Sequence, residues 1–584
     1  MIPVEKKQIR FRAIIVGTFF SLFFTIIGAK AVYLQIFHSP ILSKKAENQY
    51  KASYKSSGKR GTIYDKKLRE MAVSIDVTSI AAKPQLIKNT KVAAKSLAKT
   101  LIINRNILAR KLSSNKQFVW IKRKVSPKKE DVVRNLKIAG LDFIPEHKRF
   151  YPNKTLAAQI IGFTGMDDQG LEGVEFYYNN YLSGTVAKFS VLRDALGRVF
   201  NSENMTVLDS SGKNLVLTID STIQFIAEKA LEEAVKNFLA KSGIAIVMVP
   251  NTGAVLALAH YPFFNPNAFN DFSQELWRNR ILTDSFEPGS TMKIFSAAAA
   301  IESGTSSPNS IFYCENGAYR IGRQVIRDTH EYGWLSLQQI IKYSSNIGTV
   351  KFSTITGPEF LYKTLRNFGF GSKTGIDSSG ETSGSLTPYI QWTKIDAGTI
   401  SFGQGISVSA LQLITATSAI ANKGILMKPY VVQAITDQKG RLIKSFRPKR
   451  VRRAISEKTA SILNRIMQTV TIEGGTGVNA ALEEYSVSGK TGTAQKIGEN
   501  GTYASGKYVS SFVGFVPTER PKISVLVVID EPKRQHYGSI VAAPVFRKIA
   551  QKTLDYMDIS PKSKTDWLNV SLRGEIRGSN SQTY

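Results

Sequence analysis

Cysteine is nearly absent from this chain. The 584 residues contain one, Cys314, which excludes an intramolecular disulfide framework, Cys-rich zinc sites and iron–sulfur clusters. Histidine is almost as scarce. His38, His147, His260, His330 and His536 are the whole set, and no two stand close enough for an HExxH-type ligand pair, so no metal is expected. The same scarcity argues against a Ser-His-Asp hydrolase, although one histidine brought in by the fold would suffice. Acidic residues are in deficit: 45 Asp+Glu against 78 Lys+Arg leave a formal charge of +33, which calls for an anionic partner or surface. No internal repeat is present, and no nucleotide loop. Gly489-Lys490-Thr491 resembles the end of a Walker A motif, but its first glycine position is Glu484, which excludes ATP there. No cofactor is expected.

What the chain does have is size and apolar content. Its length corresponds to two to four domains, and 42% hydrophobic with 10% aromatic residues supply ordered cores rather than a disordered or fibrous chain. One apolar run stands out. Ala13 to Ala29 is 17 residues without a charge, and after Lys30 the run continues to Phe37. As a helix, residues 13–37 reach roughly 37 Å, enough to cross a bilayer with tilt, with Lys30 snorkelling toward the headgroups. A cleaved signal peptide and a buried core helix are the competing readings. The run is long for a signal, and a lysine sits inside the Ala29-Lys30-Ala31 cleavage pattern. Residues 1–12 then form a cytoplasmic N-terminus, because Lys6, Lys7, Arg10 and Arg12 flank the run most closely. Lys44, Lys45, Lys51 and Lys55 on the other side bring the comparison close to a tie.

Residues 41–150 carry 27 Lys/Arg against 8 Asp/Glu, a net +19 next to the anchor. A solvated basic face is one reading; attraction to anionic lipid, wall polymer or an acidic partner is the other. No RRM, zinc-finger or basic-zipper pattern accompanies the charge, so nucleic acid is not expected.

A second block opens near Asn214 with a β-like run and then a helical period. Ser242 to Met248 and Ala254 to Ala259, joined by Pro250-Asn251-Thr252-Gly253, read as a hairpin. Tyr508 to Val516 and Lys522 to Asp530 read as another, followed by a helix with Pro544 in its first turn and Val545, Ile549 and Leu554 on one face. The expected fold is α+β, an antiparallel sheet flanked by helices and assembled from both ends of about 350 residues. The tail from residue 561 to 584 is polar.

Ser290 stands in Glu287-Pro288-Gly289-Ser290-Thr291-Met292-Lys293, ahead of the Ala-rich IFSAAAAIESG. Pro288-Gly289 breaks structure and the alanines form helix, so Ser290 falls at a helix N-terminus, where free N–H groups favour developing negative charge. Lys293 rises one turn above it and can be the base, provided burial or a neighbouring cation lowers its pKa. Alone, Ser-x-x-Lys is uninformative: it also begins at Ser56, Ser96, Ser113, Ser126 and Ser210. Two further motifs single out Ser290. Ser344-Ser345-Asn346 follows the helical LQQIIKY and offers a hydroxyl for proton relay and a carboxamide for a peptide amide, although Ser113-Ser114-Asn115 repeats the pattern. Ser488-Gly489-Lys490-Thr491-Gly492-Thr493 precedes the downstream hairpin as an adjacent strand, and Lys373-Thr374-Gly375 is its decoy. Gly492 leaves room for a substrate backbone at the strand edge, Lys490 adds positive field, and Thr491 and Thr493 add hydroxyls for a carboxylate.

In that order, SxxK, SxN and KTG resemble the active-site set of penicillin-binding proteins and serine β-lactamases. The flanks PGSTMK, YSSNIG and SGKTGTAQ resemble a class B penicillin-binding protein, as do Arg60 to Asp65, Arg149 to Pro152 and Gly170 to Glu175 with that family's pedestal motifs. Leu68 departs, standing where the family usually has glycine. The resemblance implies a membrane-anchored peptidoglycan D,D-transpeptidase, a serine-type acyltransferase that β-lactams inhibit. It divides the chain into a pedestal of dimerisation type over 38–210 and a transpeptidase domain over 211–560. Ser290 would form an acyl-enzyme with the penultimate D-Ala of a stem peptide ending in D-Ala-D-Ala. Lys293 would be the base, Ser344 and Lys490 would complete the proton path, and Asn346 would bind the peptide amide. The N–H groups of Ser290 and Thr493 would form the oxyanion hole, and Thr491 and Thr493 would hold the terminal carboxylate beside Gly492.

A β-lactamase or β-lactam sensor shares the triad but has no need of the pedestal. A D,D-carboxypeptidase differs only in accepting water, and a non-catalytic division scaffold has no need of the triad. No glycosyltransferase-like block fits in 38–210, so polymerisation falls to another protein. KTGT as third motif, and Ser401 to Val408, resemble the division-specific enzymes more than the elongation type. That resemblance implies the septum of the bacterial inner membrane, an extracytoplasmic catalytic domain, and an FtsW-type glycan polymerase among the division partners.

Overall fold

The computed structural model describes residues 3–193, 199–200, 211–322, 324–498 and 500–561. The expected tail lies outside the described residues beyond position 561, as do Ser210 and the side chain of Ser56. The chain divides into two compact units, residues 1–58 with 184–210 and residues 59–183 with 211–584.

The first unit begins with a helix over Pro3–Val32 that widens into a π turn over Tyr33–Phe37. It is long and apolar enough to cross a bilayer by length and composition. Its two threonine hydroxyls turn back onto their own backbone: Thr18 Oγ1 donates to Ile14 O at 2.7 Å and Thr25 Oγ1 to Ser21 O at 2.8 Å, which pairs both donors on an otherwise apolar surface. The helix Ser39–Tyr50 follows, and strand Lys51–Ser57 pairs antiparallel with Val186–Arg193.

The second unit contains two larger sheets. One has the spatial order Leu442–Ser445, Val432–Thr436, Asn214–Leu217, Ile63–Tyr64, Glu70–Ala82 and Val119–Val125, with Leu141–Phe150 also pairing along Glu70–Ala82. Asn214–Leu217 runs parallel to Ile63–Tyr64. The strand that opens the expected catalytic block therefore completes the sheet of the segment before it and takes no part in the catalytic sheet. Three pedestal motifs meet beside this sheet around one buried carboxylate. Glu175 accepts from Arg60 Nε at 2.6 Å and from Arg149 Nε at 2.5 Å. Burial alone would raise the pKa of this carboxylate; the charges and hydrogen bonds of Arg149 and Arg60 outweigh it and hold the pKa below the usual carboxylate range.

The other sheet is built by β1 (Ser242–Met248), β2 (Val255–Tyr261), β3 (Ser488–Ile497), β4 (Tyr503–Val516) and β5 (Ile523–Asp530), all antiparallel in the spatial order β2-β1-β5-β4-β3. Both expected hairpins are present. Strand alternation divides the apolar residues between two layers. Ala245, Val247, Val525 and Val527 pack against helix α1 (Ser221–Asn237) and the C-terminal helix Ala543–Tyr556. Ile246, Met248, Leu526 and Val528 join the larger core on the opposite face, which contains the helix α2 (Lys293–Glu302). In α2, Ala297 to Ala300 expose no surface, and such small side chains allow neighbouring helices to close on it. Phe295 meets Phe368 and Phe370 with ring centroids 4.9 Å away in each case. The outcome for function is a helix held rigidly in the core whose first turn reaches the edge strand β3.

Candidate active site

Ser290 lies in a 3₁₀ turn, Gly289–Met292, that runs directly into α2. Gly289 has φ +53°, and a Cβ there would stand 3.0 Å from Thr493 O. The Pro288-Gly289 break thus brings the Ser290 turn against β3. Gly492 makes the same approach from the other side, because its Cβ would lie 2.9 Å from Thr291 Cγ2 and 2.3 Å from Ser511 Oγ. The missing side chain at 492 therefore serves the packing of β3 on the nucleophile turn, a demand for glycine additional to the substrate room expected of it. Among the described residues Ser290 Oγ has no hydrogen-bond partner, and its side chain is half-buried.

Ser344 ends the helix α3 (Leu337–Tyr343) in the left-handed region, φ +65°. This strained turn aims its side chain at two lysines. Lys293 Nζ donates to Ser344 O and, at 3.2 Å, to Ser344 Oγ. Lys490 Nζ donates to the same Oγ at 2.9 Å. Neither lysine exposes any surface. Burial lowers the Lys293 pKa from 10.5 to about 7, with Asp328 acting in the opposite direction. Burial together with the Lys293 charge pushes Lys490 well below the ordinary lysine range. Two ammonium groups cannot both remain charged around one hydroxyl out of water. Both lysines thus bracket one hydroxyl with their ammonium forms disfavoured, the arrangement that the expected proton relay through Ser344 and Lys490 would need.

The remaining predicted residues sit around the relay. Thr491 Oγ1 donates to Thr476 Oγ1 at 3.3 Å, and Thr493 Oγ1 accepts from Gly538 N at 3.0 Å, which leaves the Thr493 hydroxyl proton free for a ligand. β3 is an edge strand, so its outer backbone groups are available for an extended peptide to pair with. Asn346 begins the helix α4 (Asn346–Thr356); its Nδ2 donates to Arg327 O at 2.8 Å, and it lines a cleft of 570 Å³.

Sequence reasoning missed Asp328. It accepts from Ser345 Oγ at 2.5 Å, from Ile347 N at 3.1 Å and from Asn346 N, so it caps α4 and fixes the Ser344 turn. No local motif marks it, because it arrives from strand Gln324–Arg327. The decoys are placed elsewhere. Ser96 lies within helix Thr90–Leu101, and Ser113 and Ser126 flank the helices Arg105–Leu112 and Pro127–Asn135. In Lys373-Thr374-Gly375, the N–H groups of Thr374 and Gly375 donate to Glu381 at 2.6 and 3.0 Å, which makes a loop of it.

A nucleophilic hydroxyl at a helix start, a lysine that titrates near neutrality, a second hydroxyl between two lysines and an edge strand for an extended peptide together suit acyl transfer through a serine ester. The comparisons agree. Residues 243–551 match the family model described as penicillin-binding protein transpeptidase domain, and residues 55–217 match the penicillin-binding protein dimerisation domain. The chain is 35% identical over 550 residues to the probable peptidoglycan D,D-transpeptidase PenA of Neisseria gonorrhoeae, covering 92% of this chain and 91% of that protein. It is 33% identical over 545 residues to the peptidoglycan D,D-transpeptidase FtsI of Escherichia coli K12, covering 92% and 90%. Among solved structures it is similar to penicillin-binding protein 3 of Mycobacterium tuberculosis complexed with aztreonam, at 26% identity, 87% and 98% coverage and a TM-score of 0.68.

Proposed function

The chain belongs to the class B penicillin-binding proteins and is a peptidoglycan D,D-transpeptidase, and from that premise we propose that it cross-links stem peptides during septal wall synthesis and is acylated by β-lactams at Ser290. The observation that carries the site assignment is the bracket of Lys293 and Lys490 on Ser344 Oγ beside the Ser290 turn. Neutral Lys293 takes the Ser290 proton as Oγ attacks the carbonyl of the penultimate D-Ala. The Ser290 and Thr493 amides hold the oxyanion, a contribution of about 3–4 kcal/mol per donor in a well-studied protease. Ser344 and Lys490 pass the proton on, and the terminal D-Ala leaves. Asn346 holds the donor amide, and Thr491 and Thr493 hold the terminal carboxylate beside Gly492. An amine then takes the acyl group from Ser290.

In this reading residues 13–37 anchor the chain with residues 1–12 inside, 38–210 form the pedestal, 211–560 act outside the membrane, and 561–584 form a polar tail. The +19 of residues 41–150 attracts an anionic surface, and the apolar helix with its small residues suits docking on a polytopic glycan polymerase of the FtsW type.

The test is a fluorescent β-lactam applied to cells carrying the wild-type chain or Ser290→Ala, with the adduct located by mass spectrometry. Label at Ser290 and at the septum is expected. An adduct on Ser56, Ser96, Ser113, Ser126 or Ser210 overturns the site, and label spread along the side wall overturns the division role.

A further inference from the structure

Glu287, three residues before Ser290, takes no part in the lysine relay. It lines the 570 Å³ cleft with Asn346, Arg327 and Tyr503. It also lines an adjoining 400 Å³ cleft that includes Ala494, the residue after Thr493. Two hydrogen bonds fix its carboxylate: Gly405 N donates to Oε1 at 2.8 Å and Tyr503 Oη donates to Oε2 at 3.1 Å. Among the described residues no Lys, Arg or His forms an ion pair with it, although the chain carries +33. Burial raises its pKa. A half-buried carboxylate with no counter-ion is costly, and the ligand that relieves it is a cation. Asp396 lines the same cleft, but it is committed to its own helix start, accepting from Thr393 N at 2.9 Å and from Thr393 Oγ1 at 2.7 Å.

The second substrate of a D,D-transpeptidase is a primary amine, which arrives in neutral water as an ammonium and must lose a proton before it can attack. We propose that Glu287, clamped by Gly405 and Tyr503, is the acceptor-amine site, binding the incoming ammonium and taking its surplus proton. This rests on the transpeptidase reading. The ammonium gives one proton to the carboxylate, and its nitrogen bonds to the acyl carbon as the bond from that carbon to Ser290 Oγ breaks. The second nitrogen proton goes to Oγ, which restores the serine, and Glu287 returns its own proton to solvent. No oxidant or further reactant is needed.

The test uses the full chain in detergent with a D-alanyl thioester donor and two acceptors at pH 7: D-lysine, which is protonated, and hydroxylamine, which is neutral. The measured quantity is the ratio of aminolysis to hydrolysis of the acyl-enzyme. Glu287→Gln keeps an acceptor for Gly405 N and removes the charge. It is expected to lower the ratio at least tenfold for D-lysine and less than twofold for hydroxylamine, with Tyr503→Phe showing the same selectivity to a smaller extent. Equal losses for both acceptors, or no loss for D-lysine, overturn the proposal. If Glu287→Gln fails to fold, Tyr503→Phe decides by the same criterion. A wild-type chain that forms no Ser290 adduct with penicillin sinks the transpeptidase reading itself, which is a separate and recognisable failure.

Discussion

Raising the pH from 5 to 10 should switch Ser290 acylation on around pH 7 and then leave it flat. The perturbed group is Lys293, which has no exposed surface and whose pKa burial brings from 10.5 to about 7. That fall corresponds to about 5 kcal/mol against the ammonium form. If only neutral Lys293 accepts the serine proton, about nine-tenths of the enzyme is competent at pH 8 and about one-hundredth at pH 5, a slowing of about 90-fold. Stopped-flow acylation by a fluorescent penicillin measures it. A log rate that still climbs tenfold per pH unit above pH 8.5 would falsify the assignment, because that is the behaviour of an ordinary amine. The same shift acts on stability with a definite sign. The folded pKa lies below the unfolded one, so between pH 7 and 10.5 the unfolded chain binds more protons; the burial cost is complete below pH 7 and is relieved as pH rises toward 10.5. Lys293→Met should therefore stabilise the fold at pH 6 by up to about 5 kcal/mol, less the lost hydrogen bonds to Ser344, and by far less at pH 10. Equal gains at both pH values would refute the reasoning.

Glu175→Gln leaves Arg60 and Arg149 buried without their counter-charge and should cost about 3–5 kcal/mol in denaturant unfolding; a loss below about 1 kcal/mol would contradict it. Leu68 sits at φ +61° in the Asp65–Arg69 turn and is 65% exposed, so Leu68→Gly should raise stability by about 1 kcal/mol, seen as a higher Tm, whereas a lower Tm would mean the side chain packs usefully. Glu228 is buried, accepts from Ala157 N at 2.8 Å and has its pKa raised from 4.5 to about 7. Its folded pKa exceeds the unfolded one, so its contribution is complete below pH 4.5 and about 3 kcal/mol is lost as pH rises through 7. Glu228→Gln should remove that slope from the unfolding curve, and an unchanged slope would place the titration elsewhere.

Ser290, Lys293 and the order of the three motifs were legible in the sequence because each is a local pattern: a break before an Ala-rich helix, a helix end, and a strand ahead of a hairpin. The hairpins were legible for the same reason, since alternation and turn residues are properties of adjacent positions. The long apolar helix, a candidate membrane span, was legible from composition alone. Asp328 was not, because a carboxylate that caps the Ser344 turn from a distant strand leaves no spacing to read. The place of Asn214–Leu217 was also hidden. Its apolar run specifies a strand, but the partner that completes its ladder, Ile63–Tyr64, lies about 150 residues earlier, and only the closed sheet selects it. For Gly492 the sequence suggested only room for substrate; the packing against Thr291 and Ser511, which also demands glycine, comes from other elements and could not be read there. The lysines show the division most clearly. Sequence supplies two amines with ordinary affinities for protons; the tertiary structure buries both against one serine hydroxyl, and exclusion of water there lowers both pKa values, that of Lys293 to about 7.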